Sequence, residues 1–154
     1  MADRASVTMS IGGVLPSDLI GALCAAIRHD GACRDWDSGP FVDEDIVGGE
    51  ALFLCGHEIA WGMFEALETF CQAHSLPFAR WSGSCRNSFG PERVVYDGTS
   101  DPRHFLATDD DEILFSIEDI RRLGTIDAIE AHYAFAHMIV GPLTIDPTPP
   151  AHKG

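Results

Sequence analysis

The sequence predicts an α+β domain with a mixed or antiparallel sheet and two to four helices packed mainly on one face. Three observations lead there. Two early strand–helix units are followed by hairpin-like strand pairs and then by short helices, an order that suits a sheet with helices set against it. Apolar residues alternate in some segments and recur at helical spacing in others. The length of 154 residues allows one domain with a real core and leaves little room for two.

Residues 6–13 alternate, with Val7, Met9 and Ile11 on one face, and read as a half-buried strand ended by Gly12-Gly13. Leu19, Ile20, Leu23, Cys24 and Ile27 then recur at helical spacing and define a helix over about 16–29. Asp30-Gly31 is its stop, because glycine accepts the left-handed conformation that follows a last turn. Residues 32–50 are polar, acidic and rich in Gly and Pro, and form a long surface loop of the kind that is often functional or mobile. A buried strand is expected over 51–55. A helix is expected over about 60–74, with Trp61, Phe64, Leu67, Phe70 and Cys71 on its inner face.

Pro77 forbids continuation of that helix. Strands over 78–81 and 93–96 flank a turn at 85–91 and pair as a hairpin. Two further strands, 104–107 and 113–115, flank the tip 108–112. Ser116-Ile-Glu-Asp119 resembles a capping box and opens a short helix that ends at Gly124. Thr125 caps a last helix over 126–137, with Ile126, Ile129 and Tyr133 facing inward. The domain spans 1–141, and 142–154 forms a loose Pro-rich tail.

Charge is the unusual property. Twenty-four acids stand against ten bases, for a formal charge of −14. From Asp35 to Ala79 there are nine carboxylates and no Lys or Arg. Such a surface attracts cationic partners and repels nucleic acid and anionic membranes. Direct nucleic-acid binding is not expected, because phosphate contacts need a basic patch. The nearest approach to one, Arg80, Arg86, Arg93 and Arg103, is interrupted by Glu92, Asp97 and Asp101. The N-terminus lacks the features of a signal peptide, no stretch is long enough to span a bilayer, and five cysteines without framework spacing suit reduced thiols; a cytoplasmic location is expected.

No motif fixes a reaction. Cys55, His57, Cys71 and His74 are zinc-ligand types, but paired C-x-x-C spacing is absent and Cys24 and Cys71 fall on apolar stripes, so core packing is preferred and no metal or cofactor is expected. Cys85 beside Arg86 is the best candidate for an exposed thiol, with no partnered base supplied by the sequence, and no catalytic residue is assigned. Glycine-rich phosphate loops and the spacing of an EF-hand are also missing.

The leading expectation is a small, non-enzymatic acidic protein that inhibits or sequesters a basic, nucleic-acid-handling protein. Its sharpest form is DNA mimicry of the anti-CRISPR or anti-restriction type, an analogy resting on size and charge. The partner-binding residues would be Asp35, Trp36, Asp37, Asp43, Glu44, Asp45 and Glu50 in the loop, with Asp109, Asp110, Asp111 and Glu112 at the tip. The alternatives are an antitoxin, immunity or regulatory partner, and a thiol- or metal-dependent enzyme.

Overall fold

A computed structural model describes residues 3–147. Strand β1 (Arg4–Ile11) alternates as its sequence requires, burying Ala5, Val7, Met9 and Ile11. It lies inside a five-stranded antiparallel sheet of order β3-β1-β4-β5-β6, formed with β3 (Leu52–Ala60), β4 (Phe78–Ser82), β5 (Glu92–Tyr96) and β6 (Arg103–Leu106). The hairpin expected at 78–96 is present, with Phe78 opposite Tyr96 and Ser82 opposite Glu92. Register places Met9, Leu54, Arg80 and Val94 in one row across the sheet.

Helices α1 (Ile20–Asp30) and α2 (Glu65–Ala73) pack against the face that carries this row. Leu23, Cys24, Ile27, Phe64, Leu67 and Cys71 join Val7, Met9, Ile11 and Phe78 in the main core. Gly31, with φ 75°, closes α1 in the left-handed conformation expected of it. Asp30, at the end of α1, accepts bonds from the Ala66 and Leu67 N–H groups and so caps α2 from a neighbouring helix. Helix α3 (Ile117–Leu123) has the expected box, Ser116 accepting from Asp119 N and Asp119 accepting from Ser116 N, and ends at left-handed Gly124. Helix α4 (Ile126–Ala136) is capped by Thr125. It covers the opposite face of the sheet, where Ala136 and Phe135 meet Ala79, Val95 and Phe105.

Four expectations are corrected. The strand expected at 51–55 runs on to Ala60, because 59–60 pair with Arg4 and Ala5 around a β-bulge; left-handed Trp61 and Gly62 then turn the chain, and α2 starts only at Glu65. Trp61 is consequently exposed instead of lining the core. Residues 113–115 form no strand and contribute a single bridge, Ile113 to Ala107. In α4, Ile126 and Tyr133 face outward, because the sheet is met by Ala136 and Phe135 on the other side of that helix. The stretch expected to begin a loose tail supplies strand β7 (Leu143–Asp146), which pairs in parallel with β2 (Gly13–Pro16) and buries Leu143. The rest of that expected tail, 148–154, lies outside the described residues.

The β2–β7 junction is tight. A Cβ on Gly12 would lie 2.2 Å from the Gly141 carbonyl oxygen, so only glycine fits there. No helix among the described residues is long and apolar enough to cross a membrane.

Candidate functional site

The acidic loop 32–50 is built into the fold. At its start Cys33 exchanges both backbone hydrogen bonds with Cys55, extending the outer edge of β3 by one residue pair. At its middle Phe41 is 1% exposed, so the aromatic at this position serves the core, and Arg28 donates to the Phe41 carbonyl. At its end Gly49 N donates to Leu143 O and Leu143 N to Glu50 O. A short 3-10 turn, Asp43–Asp45, is closed by Asp45 accepting from Val42 N. Trp36 remains 41% exposed and packs on His57 at 4.5 Å between ring centroids.

Within this frame the carboxylates divide. Asp43 lies 3.3 Å from Arg28 and Asp45 3.8 Å from Arg34, so two of the leading candidates carry their own counter-ions. Asp35 accepts from Asp37 N and stays exposed. Asp37, Glu44 and Glu50 are exposed and make no ion pair among the described residues.

The second acidic segment, 108–112, is a tight turn held by Thr108, whose hydroxyl accepts from the Asp110 and Glu112 N–H groups. Left-handed Asp111 allows the tight reversal. Asp109 accepts from the Ser84 N–H and hydroxyl, and Asp111 pairs with Arg93 at 2.9 Å. Asp110 and Glu112 point outward without an ion pair among the described residues. This turn is fastened to β4 and β5, whereas the 32–50 loop lies along β3 and α1. No bond among the described residues joins the two, and they hang on different parts of the sheet, one beside the edge strand β3 and the other on β4 and β5 with β1 between, so the two acidic segments are anchored separately.

The candidate zinc ligands do not converge: His57 packs on Trp36, His74 on Phe70, and no group of three possible ligands lies together among the described residues. Burial, helped by Asp43, pushes the Cys24 thiol up to about 12. Burial also raises Cys55 and Cys71. All three are held as neutral thiols, unsuited to attack a substrate. Cys85 closes the 85–89 turn through its backbone.

A polar cluster that the sequence reading missed sits on the helix-covered face of the sheet. Arg80 is wholly buried. Its Nη1 donates to Gly62 O at 2.8 Å and to Ser82 Oγ at 3.1 Å, and its Nη2 donates to Glu92 at 3.1 Å. Its Nε lies 2.8 Å from Glu68 as an ion pair outside hydrogen-bond geometry. Glu68 therefore lies inside, on the buried side of α2. One positive charge serves two carboxylates, and burial separates them. Glu68 is pushed above the usual carboxylate range by burial, which outweighs Arg80. Glu92 is less enclosed, and although burial raises it, Arg80 and His104 bring it below that range.

From Glu92 the network reaches the surface at His104, 3.2 Å away, beside a hollow of about 360 Å³ that also touches Asp119, Arg122 and His132. Burial and the neighbouring Arg103 and Arg122 lower His132, which keeps it neutral. The basic patch considered from the sequence is not assembled, since Arg80 is buried, Arg93 is bonded to Asp111 and Arg103 stacks 4.2 Å from the Phe135 ring.

No protein-family model matches this chain, and neither a curated protein nor a solved structure is significantly similar to it.

Proposed function

We propose that this protein binds a basic, nucleic-acid-handling protein through its acidic surface and inhibits or sequesters it. The observation that carries this reading is the fixed conformation of the 32–50 loop. A loop needed only for solubility requires no anchors, yet this one is tied to β3, to the core through Phe41 and to β7. Holding carboxylates in place beforehand lowers the ordering cost of association. The exposed Trp36 adds an aromatic of the type that concentrates interface energy. Charge steering by a surface of formal charge −14 speeds encounter with a cationic partner.

Asp37, Glu44 and Glu50 carry the greatest weight, together with Asp35, Asp110 and Glu112. Asp43, Asp45 and Asp111 carry less, because an arginine of this chain already faces each of them. DNA mimicry is the sharpest version and requires many charges in a band. The internal arginines interrupt such a band, which favours an antitoxin-like or regulatory contact as the second reading.

Affinity capture from the host at low and high salt tests the proposal. Capture of a basic protein that is lost at high salt, and lost on Asp37→Lys with Glu44→Lys and Glu50→Lys, is expected. Salt-insensitive capture, or capture undiminished by the triple reversal, would remove it. Displacement by the partner's own nucleic acid would select mimicry, and simultaneous binding of all three would select the second reading.

A further inference from the structure

The acidic loop encloses a hollow whose wall differs chemically from its rim. Its volume is about 360 Å³, and it is formed chiefly by Ala32, Cys33, Gly39, Pro40 and Phe41, with Arg28 at one side. Nearly all of that wall is apolar. Two segments, 31–33 and 38–41, build it; the chain between them carries Arg34, Asp35 and Asp37, and the chain just after them carries Asp43, Glu44 and Asp45, so five carboxylates and one further arginine adjoin the recess along the sequence. Arg28 and Arg34 are each matched by a carboxylate of the same loop, Asp43 and Asp45, which leaves Asp35, Asp37 and Glu44 without an ion pair among the described residues.

An apolar recess left open to water is unfavourable unless something covers it. Its size is near the lower limit of small-molecule sites and suits a single large side chain. The charge around it selects what that side chain belongs to. An apolar residue carried among acidic neighbours would meet repulsion at the rim, whereas one carried among Arg or Lys residues would place those cations beside Asp35, Asp37 and Glu44.

We infer that this hollow receives an aliphatic or aromatic side chain from a basic segment of the partner, so that recognition requires an apolar anchor flanked by Arg or Lys. The inference rests on the proposed binding of a basic protein and adds what that partner must present. Gly39 lines the recess and is the position chosen to perturb it: a Cβ there meets nothing within 4 Å, and the backbone is not left-handed, so a side chain can be added without strain.

The test uses three labelled peptides and the full chain, read by fluorescence anisotropy at low salt. The first is Arg-Arg-Leu-Arg-Arg, the second replaces Leu by Ala, and the third replaces every Arg by Gln. The Leu peptide is expected to bind about ten-fold tighter than the Ala peptide. Gly39→Leu is expected to bring the Leu peptide down to the level of the Ala peptide. As a second readout on the unaltered chain, the Leu peptide should slow alkylation of Cys33, followed by mass spectrometry, while the Ala peptide should not.

Equal, salt-sensitive affinity for the two Arg peptides would overturn the anchor and leave the charge-driven reading standing. Absence of binding by either Arg peptide would overturn both. Binding of the Gln peptide as tightly as the Leu peptide would overturn the basic partner and make the recess a site for an apolar ligand.

Discussion

The two helical pairs of this molecule are made from similar material and used differently. In α1 and α2 the apolar stripes go fully inside: Leu23, Cys24, Ile27, Leu67 and Cys71 are all wholly buried. In α3 no residue is buried and in α4 only Ala136 is, while Ile117, Ile120, Ile126 and Tyr133 are between 41% and 70% exposed. The second pair rests on a small apolar contact, Ala136 and Phe135 against Ala79, Val95 and Phe105, and on polar ties: the Ser116–Asp119 box, the Thr125 cap, Arg93 Nε donating to Ala136 O, and Arg103 over the Phe135 ring. An apolar stripe thus needs a facing surface before it stabilises anything, and helices held by caps and a few polar ties open locally at lower cost than the whole domain.

The largest test of this contrast is Arg80→Ala. It leaves Glu68 buried without its counter-charge and is expected to cost about 3–5 kcal/mol in urea denaturation; a loss under ~1 kcal/mol would show that water or rearrangement already compensates the cluster. Next is Leu67→Ala on the buried stripe of α2, with an expected loss of about 2–5 kcal/mol.

On the other side of the sheet, Ser116→Ala should cost ~1 kcal/mol and register mainly as faster hydrogen exchange in α3. A matching fall in global stability would mean that α3 opens only with the whole domain. Ile120→Ala should shift global stability by less than ~0.5 kcal/mol, several-fold below its counterpart in α2.

Acidity offers a gentler probe of the same pair. Asp119 is held below the usual aspartate range by Arg122 and by the Ser116 N–H. A depressed carboxylate stabilises the fold above its unfolded pKa and loses that contribution as pH falls through the lower, folded one. Exchange protection in α3 should therefore decline across that window in the native chain and show no such decline in Asp119→Asn. Identical profiles would detach the box from the stability of the helix.

Much of the first helical unit was legible because its determinants are local. The spacing of Leu23, Cys24 and Ile27 with Gly31 after them defines α1, and Ser116 with Asp119 defines the start of α3. The start of α2 was not legible, because 59–60 fit a helical pattern and are claimed instead by pairing with Arg4 and Ala5, a contact more than fifty residues away. Two signals of the buried cluster are nonetheless present in the sequence. Glu68 falls on the stripe of Phe64, Leu67 and Cys71, and Arg80 shares a strand face with Phe78.

Of the proposed binding surface, the carboxylate-rich segment is legible in the sequence, and its exposure follows from its composition. The pairing of Asp43 with Arg28 and Asp45 with Arg34 depends on how the loop folds back over α1, and the recess beneath it depends on Phe41 turning inward; neither has a local signature.

The parallel junction of β2 with β7 has a consequence for biogenesis. Gly13 meets Leu143 across 130 residues of chain, and Leu15 and Leu143 are both wholly buried in the finished molecule. A nascent polypeptide emerging from the ribosome can assemble the β1–β3 pair and the first helices early, but β2 finds its mate only once residue 146 has been made. Until then Leu15 lacks its lid, and any polypeptide released before that point leaves translation with a vacant strand edge open to unwanted pairing.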